Sequence, residues 1–215
     1  QIVLCKACNL IPGGGIWLNT QRPEWNDANN ALAGYGLSVV TLCYLYRYIA
    51  QLEELFSNTN LKSVTLPSAV KKCFLDLAVL YKNTDIQKAS SDDKERRALV
   101  DKAGKIFEEE RNDLYKNGYT GSEDIDCSVI ADALKIINNH LEHSIRLNKR
   151  QDKLYHSYNT LLITDTGMKV EYLQEMLEGQ VAILSSTLLS PQDSINLIQS
   201  LRESRMYEER QNSYM

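Results

Sequence analysis

Apolar side chains recur at helical spacing along most of the chain that follows residue 27. In residues 28–56 they are three or four positions apart, so that they would line one face of a helix. Further apolar residues fill the other faces of its first half, which is typical of a helix packed on several sides. We therefore predict a long buried helix here. The first set is Leu32, Tyr35, Val39, Leu42, Cys43, Tyr46, Ile49 and Leu52, and the second is Leu37, Val40 and Leu45.

Further segments show the same helical pattern, with short polar connections between them. They span residues 68–82, 92–116, 126–148, 169–188 and 191–210. Asn117-Gly118 has the composition of a helix end, and Ser190 before Pro191 has that of a helix start. Three short apolar runs, residues 2–4, 16–18 and 161–166, are candidates for strands or extended connectors.

Since helical patterns predominate, we predict an all-α protein. The alternation of helices with short connections indicates an array of helical hairpins that forms part of an (α/α) barrel, with a short irregular or extended N-terminal segment. The corresponding division is a loop-rich segment, residues 1–27, followed by one helical domain, residues 28–215.

The amino-acid composition excludes some classes of binding partner. The 215 residues carry a net charge of −4, so the basic footprint of a nucleic-acid-binding protein is missing. No apolar run reaches the roughly 18 residues that a membrane-spanning helix needs. Five scattered cysteines favour reduced thiols, and thus a cytoplasmic protein, over a disulfide framework. The chain begins with Gln1 and its first methionine is Met168, so we expect a fragment that contacts the rest of a parent protein.

The chemically suggestive stretch is residues 11–30. It contains two indole rings, two carboxylates and a guanidinium, and it leads directly into the predicted buried helix. Flat aromatic faces stack on sugar rings, and carboxylates or amides hold sugar hydroxyls. A carboxyl group beside an aromatic ring is partly desolvated, which raises its pKa and suits it to donate a proton. The residues concerned are Trp17, Arg22, Glu24, Trp25 and Asp27.

Residues 25–30, Trp-Asn-Asp-Ala-Asn-Asn, resemble the Trp-Asn-Asp-Gly-Met-Asn type motif of cellobiose phosphorylase-like enzymes. More loosely, they resemble the aromatic-x-Asp motifs of debranching enzymes and neutral invertases. These families share an (α/α)6 barrel, and the motif aspartate protonates the glycosidic oxygen. The chain departs from the motif at Ala28-Asn29, where the family has Gly-Met.

The resemblance implies an enzyme that cleaves a glycosidic bond of an oligosaccharide by hydrolysis or phosphorolysis, in the latter case with inorganic phosphate as a partner. Asp27 would be the general acid, Trp25 would line the sugar subsite, and Asn26 would contact hydroxyls or orient the carboxyl group. Candidates for further substrate contacts are Arg22, Glu24, Trp17 and Tyr35.

A structural interpretation of the same residues stays open. Asp27 precedes a predicted helix and could be its N-cap, and Trp17 and Trp25 could be packing residues. The alternative function is therefore a non-catalytic α-helical interaction or scaffold module.

The remaining motifs indicate no cofactor and no metal. The turn at residues 13–15 lacks the Lys-Ser/Thr of a P-loop. Cys5 and Cys8 have no second pair of ligands at zinc-site spacing, and His140 and His143 have no third ligand nearby in the sequence. No sequence feature indicates binding to nucleic acid or to a membrane.

Overall fold

The structure is a computed structural model that describes residues 2–19, 31–119 and 121–214. It shows a mixed α/β protein with 58% helix and 17% strand, in which a five-stranded antiparallel sheet curls into a half-barrel. The predicted all-α fold, and with it the (α/α) barrel, is therefore wrong. The sequence pattern did not reveal the sheet because several of its strands have only two or three residues, too few to establish an alternation.

Strands from three separate parts of the chain form this sheet, in the order β1-β2-β3-β6-β7. Its register aligns Trp17 with Leu37 and Leu37 with Asn159, while the next row joins Ile16, Ser38 and Tyr158. The strands are β1 (Leu10–Ile11), β2 (Gly15–Trp17), β3 (Gly36–Ser38), β6 (Tyr158–Ile163) and β7 (Met168–Tyr172).

The helices of the described residues surround this sheet. Most are amphipathic, as their sequence pattern predicts. They are α1 (Ile2–Ala7), α2 (Val39–Asn58), α3 (Ser68–Lys82), α4 (Ile86–Ser91), α5 (Asp93–Asn117), α6 (Cys127–Leu147), α7 (Leu177–Ser185) and α8 (Pro191–Glu203).

Two further pairs of strands lie outside the main sheet. Strand β4 (Ser63–Pro67) pairs antiparallel with β5 (Ser122–Asp126), and β8 (Tyr207–Glu208) pairs with β9 (Ser213–Tyr214). The first pair joins the starts of α3 and α6, since each strand runs directly into one of these helices.

The main hydrophobic core lies where α2 packs along α6. Leu42 and Ile49 of α2 and Ile137, Leu141 and Ile145 of α6 are completely buried in one apolar cluster. Burying a side chain of this size stabilises the fold by about 1.5–3 kcal/mol. The periodicity that predicted these helices therefore also identified their buried faces.

A second apolar cluster lies between the sheet and α5. Leu37 and Leu161 from the sheet pack with Val100 of α5, and Trp17 covers the edge of the cluster. The sheet therefore has helices against it on both faces, because Leu10 and Ile16 belong to the main core instead.

Other predictions of elements agree with the structure. The helix predicted at residues 68–82 is confirmed as α3, and the helices predicted at residues 92–116 and 126–148 correspond to α5 and α6. Ser190 is the N-cap of α8, where its side chain accepts a hydrogen bond from the backbone of Asp193, and Pro191 occupies the first turn.

Four predicted elements are wrong in part, and one of them is the last helix, which was predicted to reach residue 210 but ends at Glu203. The helix predicted from residue 28 begins only at Val39, after strand β3. Residues 2–4 lie in helix α1 rather than in a strand, and residues 169–188 divide into strand β7 and helix α7. None of the helices in the described residues has both the length and the hydropathy needed to cross a membrane.

Candidate functional site

The residues predicted for the site fall into two groups. Trp17 and Tyr35 are described, whereas the others lie outside the described residues, and their assigned roles stay predictions. These others are Arg22, Glu24, Trp25, Asn26 and Asp27.

The connection between β2 and β3, residues 18–35, contains the whole predicted motif. Its two ends are hydrogen-bonded to each other: Gly34 N donates to Leu18 O (2.6 Å), and Leu18 N donates to Gly36 O (2.8 Å). The indole N–H of Trp17 donates to Gly34 O at 3.1 Å. The connection therefore leaves and re-enters the sheet at one fixed point.

Trp17 has the packing role that the structural interpretation predicts. The side chain is half-buried against the second apolar cluster, and its N–H group is used in the bond to Gly34. Its contribution to substrate binding stays a prediction.

Tyr35 lies in a turn before β3, not on the helix that the periodicity predicted. The residue is 48% exposed, and its hydroxyl donates to Ala31 O at 2.9 Å. Its carbonyl oxygen accepts a bond from Leu161 N at 2.7 Å, which ties the end of the connection to β6. An exposed aromatic residue is thereby held at the C-terminal end of the connection.

A carboxylate that no sequence pattern singled out accepts a hydrogen bond from strand β6. The hydroxyl of Tyr158 donates to Glu178 Oε2 at 2.8 Å, and the Glu178 residue is exposed. Tyr158 pairs with Ser38 across β3 and β6, two residues from Gly36, where the connection re-enters the sheet. Because side chains two residues apart on a strand share a face, Tyr158 is on the same face as position 36.

The backbone around Glu178 is clamped by buried side chains. Gln180 accepts a bond from Tyr155 N (2.9 Å) and donates to Tyr155 O (2.7 Å) and Met176 O (3.0 Å). Ser157 Oγ accepts from Gly179 N (2.8 Å) and donates to Met176 O (3.0 Å). We call residues 176–180 with Tyr155 and Ser157 the Glu178 clamp.

Glycine at position 179 is required by this close approach. A Cβ atom placed there would lie 2.9 Å from the Cα atom of Ser157 and would also overlap its hydroxyl. Gln180 and Ser157 are completely buried.

A second clamp encloses the turn at residues 12–14. Asn148 Nδ2 donates to Gly13 O (3.2 Å), and Asn159 Nδ2 donates to Gly14 O (2.6 Å) and to Asn148 Oδ1 (2.8 Å). Gly13 N donates to Ser144 Oγ at 3.3 Å. We call this arrangement the Gly13 clamp.

Arg96 completes the Gly13 clamp from α5. Its side chain is buried, and Nε donates to Pro12 O (3.0 Å) while Nη1 donates to Met168 O (2.7 Å). It also bonds Ser90 O and pairs with Asp93. The amides at residues 13 and 14 are bonded within the protein, since Gly14 N donates to Ile11 O (2.9 Å), so this turn offers no cradle for a phosphate.

The histidines and cysteines have structural surroundings. Burial lowers the pKa of His140 from 6.5 to about 4, and its Nε2 bonds Tyr81 O at 3.0 Å. All five cysteines, which lie within the described ranges, are free. Across residues 2–19, 31–119 and 121–214, no three His, Cys, Asp or Glu side chains come close enough together to hold a metal ion.

Comparison with known proteins assigns no family to this chain. The sequence matches no protein-family model, and no curated protein matches it. The functional argument therefore depends on the motif at residues 25–30 and on the described side chains at the two ends of the connection of residues 18–35.

Proposed function

We propose that the protein is a carbohydrate-active enzyme that cleaves a glycosidic bond, with Asp27 as the general acid. The observation that carries the proposal is the connection of residues 18–35, which contains Trp25-Asn26-Asp27 and is fixed to the sheet at both ends. A catalytic group must be attached to a rigid scaffold, and the bonds at Leu18 and Gly34 attach the two ends of this connection to the sheet.

The residue types in the connection of residues 18–35 suit an oligosaccharide. Trp25 and the exposed ring of Tyr35 offer flat faces for sugar rings. Asn26 offers an amide to hydroxyl groups, and Arg22 and Glu24 offer charged hydrogen-bonding groups. The proposal does not depend on an (α/α) barrel, because similar chemistry occurs on unrelated folds.

The test is Asp27→Asn in the full-length protein, assayed on maltose, cellobiose and trehalose with and without inorganic phosphate. Asparagine is as good an N-cap as aspartate, so the variant retains a capping role but cannot donate the proton. We expect turnover to fall by about 100- to 10,000-fold with the fold retained.

Asp85→Asn is the matched control, because Asp85 is an N-cap whose side chain accepts bonds from Gln87 N and Lys88 N. Its turnover is expected to stay within twofold of the wild type. Unchanged turnover in Asp27→Asn would show that this residue is a cap or a packing residue, and the proposal would then be wrong.

One observation favours the alternative of a non-catalytic interaction module. Tyr44, Tyr48 and Leu55 of α2 are 41%, 41% and 61% exposed, and their spacing places them on one side of that helix. If no sugar in the panel quenches tryptophan fluorescence or is cleaved, this apolar stripe becomes the feature to explain.

A further inference from the structure

We propose that the outer face of α2 binds a second copy of this chain, with the two helices antiparallel about a twofold axis. The face is formed by Tyr44, Tyr48, Gln51 and Leu55, which we call the α2 stripe. The proposal goes beyond glycoside cleavage and does not depend on it, because none of these residues belongs to the connection of residues 18–35. A failed test of one proposal therefore leaves the other as it stands.

The first argument is that α2 has two apolar faces, and the rest of the fold covers one of them. Leu42 and Ile49 are buried in the main core. On the outer side, Tyr44 and Tyr48 are each 41% exposed, and Leu55 is 61% exposed. Large apolar side chains that line up on one exposed face, rather than being scattered singly, are typical of a surface that binds another protein.

The second argument is the spacing of the α2 stripe. Its four residues follow one another at steps of four, three and four positions, which is the seam of a helix that packs lengthwise against another helix. Gln51 is exposed in the middle of this seam. A polar residue at such a position lowers the affinity of a helix pair but fixes its register. The seam therefore specifies one alignment of the two helices.

The third argument is that the stripe is complementary to itself when two copies run in opposite directions. A twofold axis between Tyr48 and Gln51 places Tyr48 of each copy against the partner's Gln51. It also places Tyr44 of each copy against the partner's Leu55, so an aromatic ring packs on an aliphatic side chain at both ends. An interface between two identical copies needs this self-complementarity, because the same patch serves both sides.

The fourth argument is the complementarity of the charges beside the stripe. Arg47 and Glu54 lie seven residues apart on one flank, and the antiparallel register sets Arg47 of each copy next to the partner's Glu54. A parallel pair would set these two charges next to Leu52 and Thr59 instead. Because flanking charges decide the orientation of paired helices, the pattern favours the antiparallel dimer.

The structure already holds Arg47 beside the stripe. Its Nη1 donates to Ser185 O of α7 at 3.0 Å, and its guanidinium carbon lies 5.4 Å from the centre of the Tyr44 ring. A guanidinium has five N–H groups, so this bond leaves others for a carboxylate. Since the side chain is ordered before the copies meet, less conformational entropy is lost on binding.

The stripe is short, and its length sets the expected affinity. From Tyr44 to Leu55 the helix rises about 16 Å, so the buried area falls at the low end for specific interfaces. We therefore expect a weak, reversible dimer whose fraction depends on protein concentration.

The test is sedimentation equilibrium of the full-length protein at concentrations up to about 1 mM. We expect a monomer–dimer equilibrium. Tyr48→Arg should raise its dissociation constant about 100-fold, because like charges then meet at the centre of the seam. Tyr48 is exposed in the monomer, so urea unfolding of this variant is expected to match that of the wild type. 

Val79→Arg is the matched control. Val79 is 56% exposed on α3 and lies outside the α2 stripe. The same change of an exposed apolar residue to arginine is expected to leave the dissociation constant within about twofold of the wild-type value, because this position makes no contact with the partner.

Reversal of charge tests the register. Arg47→Glu and Glu54→Arg each set like charges against each other, and each is expected to weaken the dimer about tenfold. The double variant restores opposite charges and should return the dissociation constant to within about threefold of the wild-type value. Because Arg47 also bonds Ser185, urea unfolding of dilute protein separates a damaged fold from a weakened dimer. Glu54 is exposed, so Glu54→Arg tests the same pair without that contact.

Three results would overturn the proposal. A wild-type protein that stays monomeric up to about 1 mM does not bind its own copy through the α2 stripe. A dimer that Tyr48→Arg leaves intact is held together by another surface. A double charge variant that associates no more tightly than the single variants excludes the antiparallel register.

Discussion

The Gly13 clamp and the Glu178 clamp are built from the same materials. In each, buried amide and hydroxyl side chains bond the backbone of a glycine-containing segment. They differ in whether the segment that they hold is buried or carries an exposed side chain. The turn at residues 12–14 is buried, and Asn148, Asn159 and Arg96 bond its carbonyl groups. The clamp around Gly179 holds an exposed carboxylate instead.

This difference in exposure bears on how much each clamp contributes to stability. Buried polar groups are costly to leave unpaired, so the bonds to the carbonyl oxygens of residues 12–14 hold the sheet to α5 and α6. The exposed side chain of Glu178 in the second clamp adds little to the core. We therefore expect changes in the first clamp to lower stability more than changes in the second.

Arg96→Met is expected to have the largest effect on stability. It leaves the carbonyl oxygens of Pro12, Met168 and Ser90 without their charged donor, and losses of this kind cost about 3–5 kcal/mol in total. Urea unfolding measures the loss. The control is Lys105→Met, because Lys105 is an exposed cation on the same helix that pairs with Glu109 at 3.8 Å; we expect a change below about 1 kcal/mol. Equal losses in the two variants would remove the special status of the first clamp.

The first clamp is also expected to be sensitive to acid through His140. Its carbonyl oxygen accepts the hydroxyl of Ser144, which in turn accepts Gly13 N. Because burial lowers the pKa of His140 from 6.5 to about 4, the unfolded chain binds the proton more tightly than the folded protein does. Stability is therefore fully present above pH 6.5 and falls as the pH drops from 6.5 towards 4, by up to about 3 kcal/mol.

Urea unfolding between pH 7.5 and 4 checks this slope in the wild type and in His140→Gln. The variant should show a shallower slope, but not a flat one, because burial also lowers the pKa values of His143 and His156. An identical slope in the variant would mean that His140 does not carry the effect.

Gly179→Ala tests the second clamp. The added methyl group would press against Ser157, with only 2.9 Å to its Cα atom, and overpacking of this kind costs about 1–3 kcal/mol. Urea unfolding measures the loss. Unchanged stability would show that Ser157 can move away from the added methyl group without cost.

Gly104→Ala is expected to have the smallest effect, of opposite sign. Gly104 lies in α5, and no other group lies within 4 Å of the place that a Cβ atom would take, so alanine should stabilise the helix by about 0.5–1 kcal/mol. Thermal unfolding checks the gain. A loss of stability would mean that this face of α5 is covered in the folded protein.

The two halves of the fold differed in how far the sequence predicted them. Helices α3, α5 and α6 follow from local periodicity, because each carries its own apolar face. The sheet depends on pairing between residues 10–17, 36–38 and 158–172, and local pattern contains no information about such distant partners. Strand β7 did carry a usable signal, since Met168 and Val170 alternate with Lys169 and Glu171.

The candidate site divides in the same way. The motif at residues 25–30 is a local pattern, so the sequence was enough to propose Asp27. The bond from Tyr158 to Glu178 and the closeness of Gly179 to Ser157 are contacts between distant segments, which local pattern cannot reveal. Within a predicted helix of residues 169–188, this glutamate looked like any other solvated charge.

The most direct measurement is a crystal structure of the full-length Asp27→Asn protein with the cleaved disaccharide bound. The account predicts that the side chain of residue 27 lies within hydrogen-bonding distance of the glycosidic oxygen, at roughly 2.6–3.2 Å. A sugar bound away from residue 27 would contradict it.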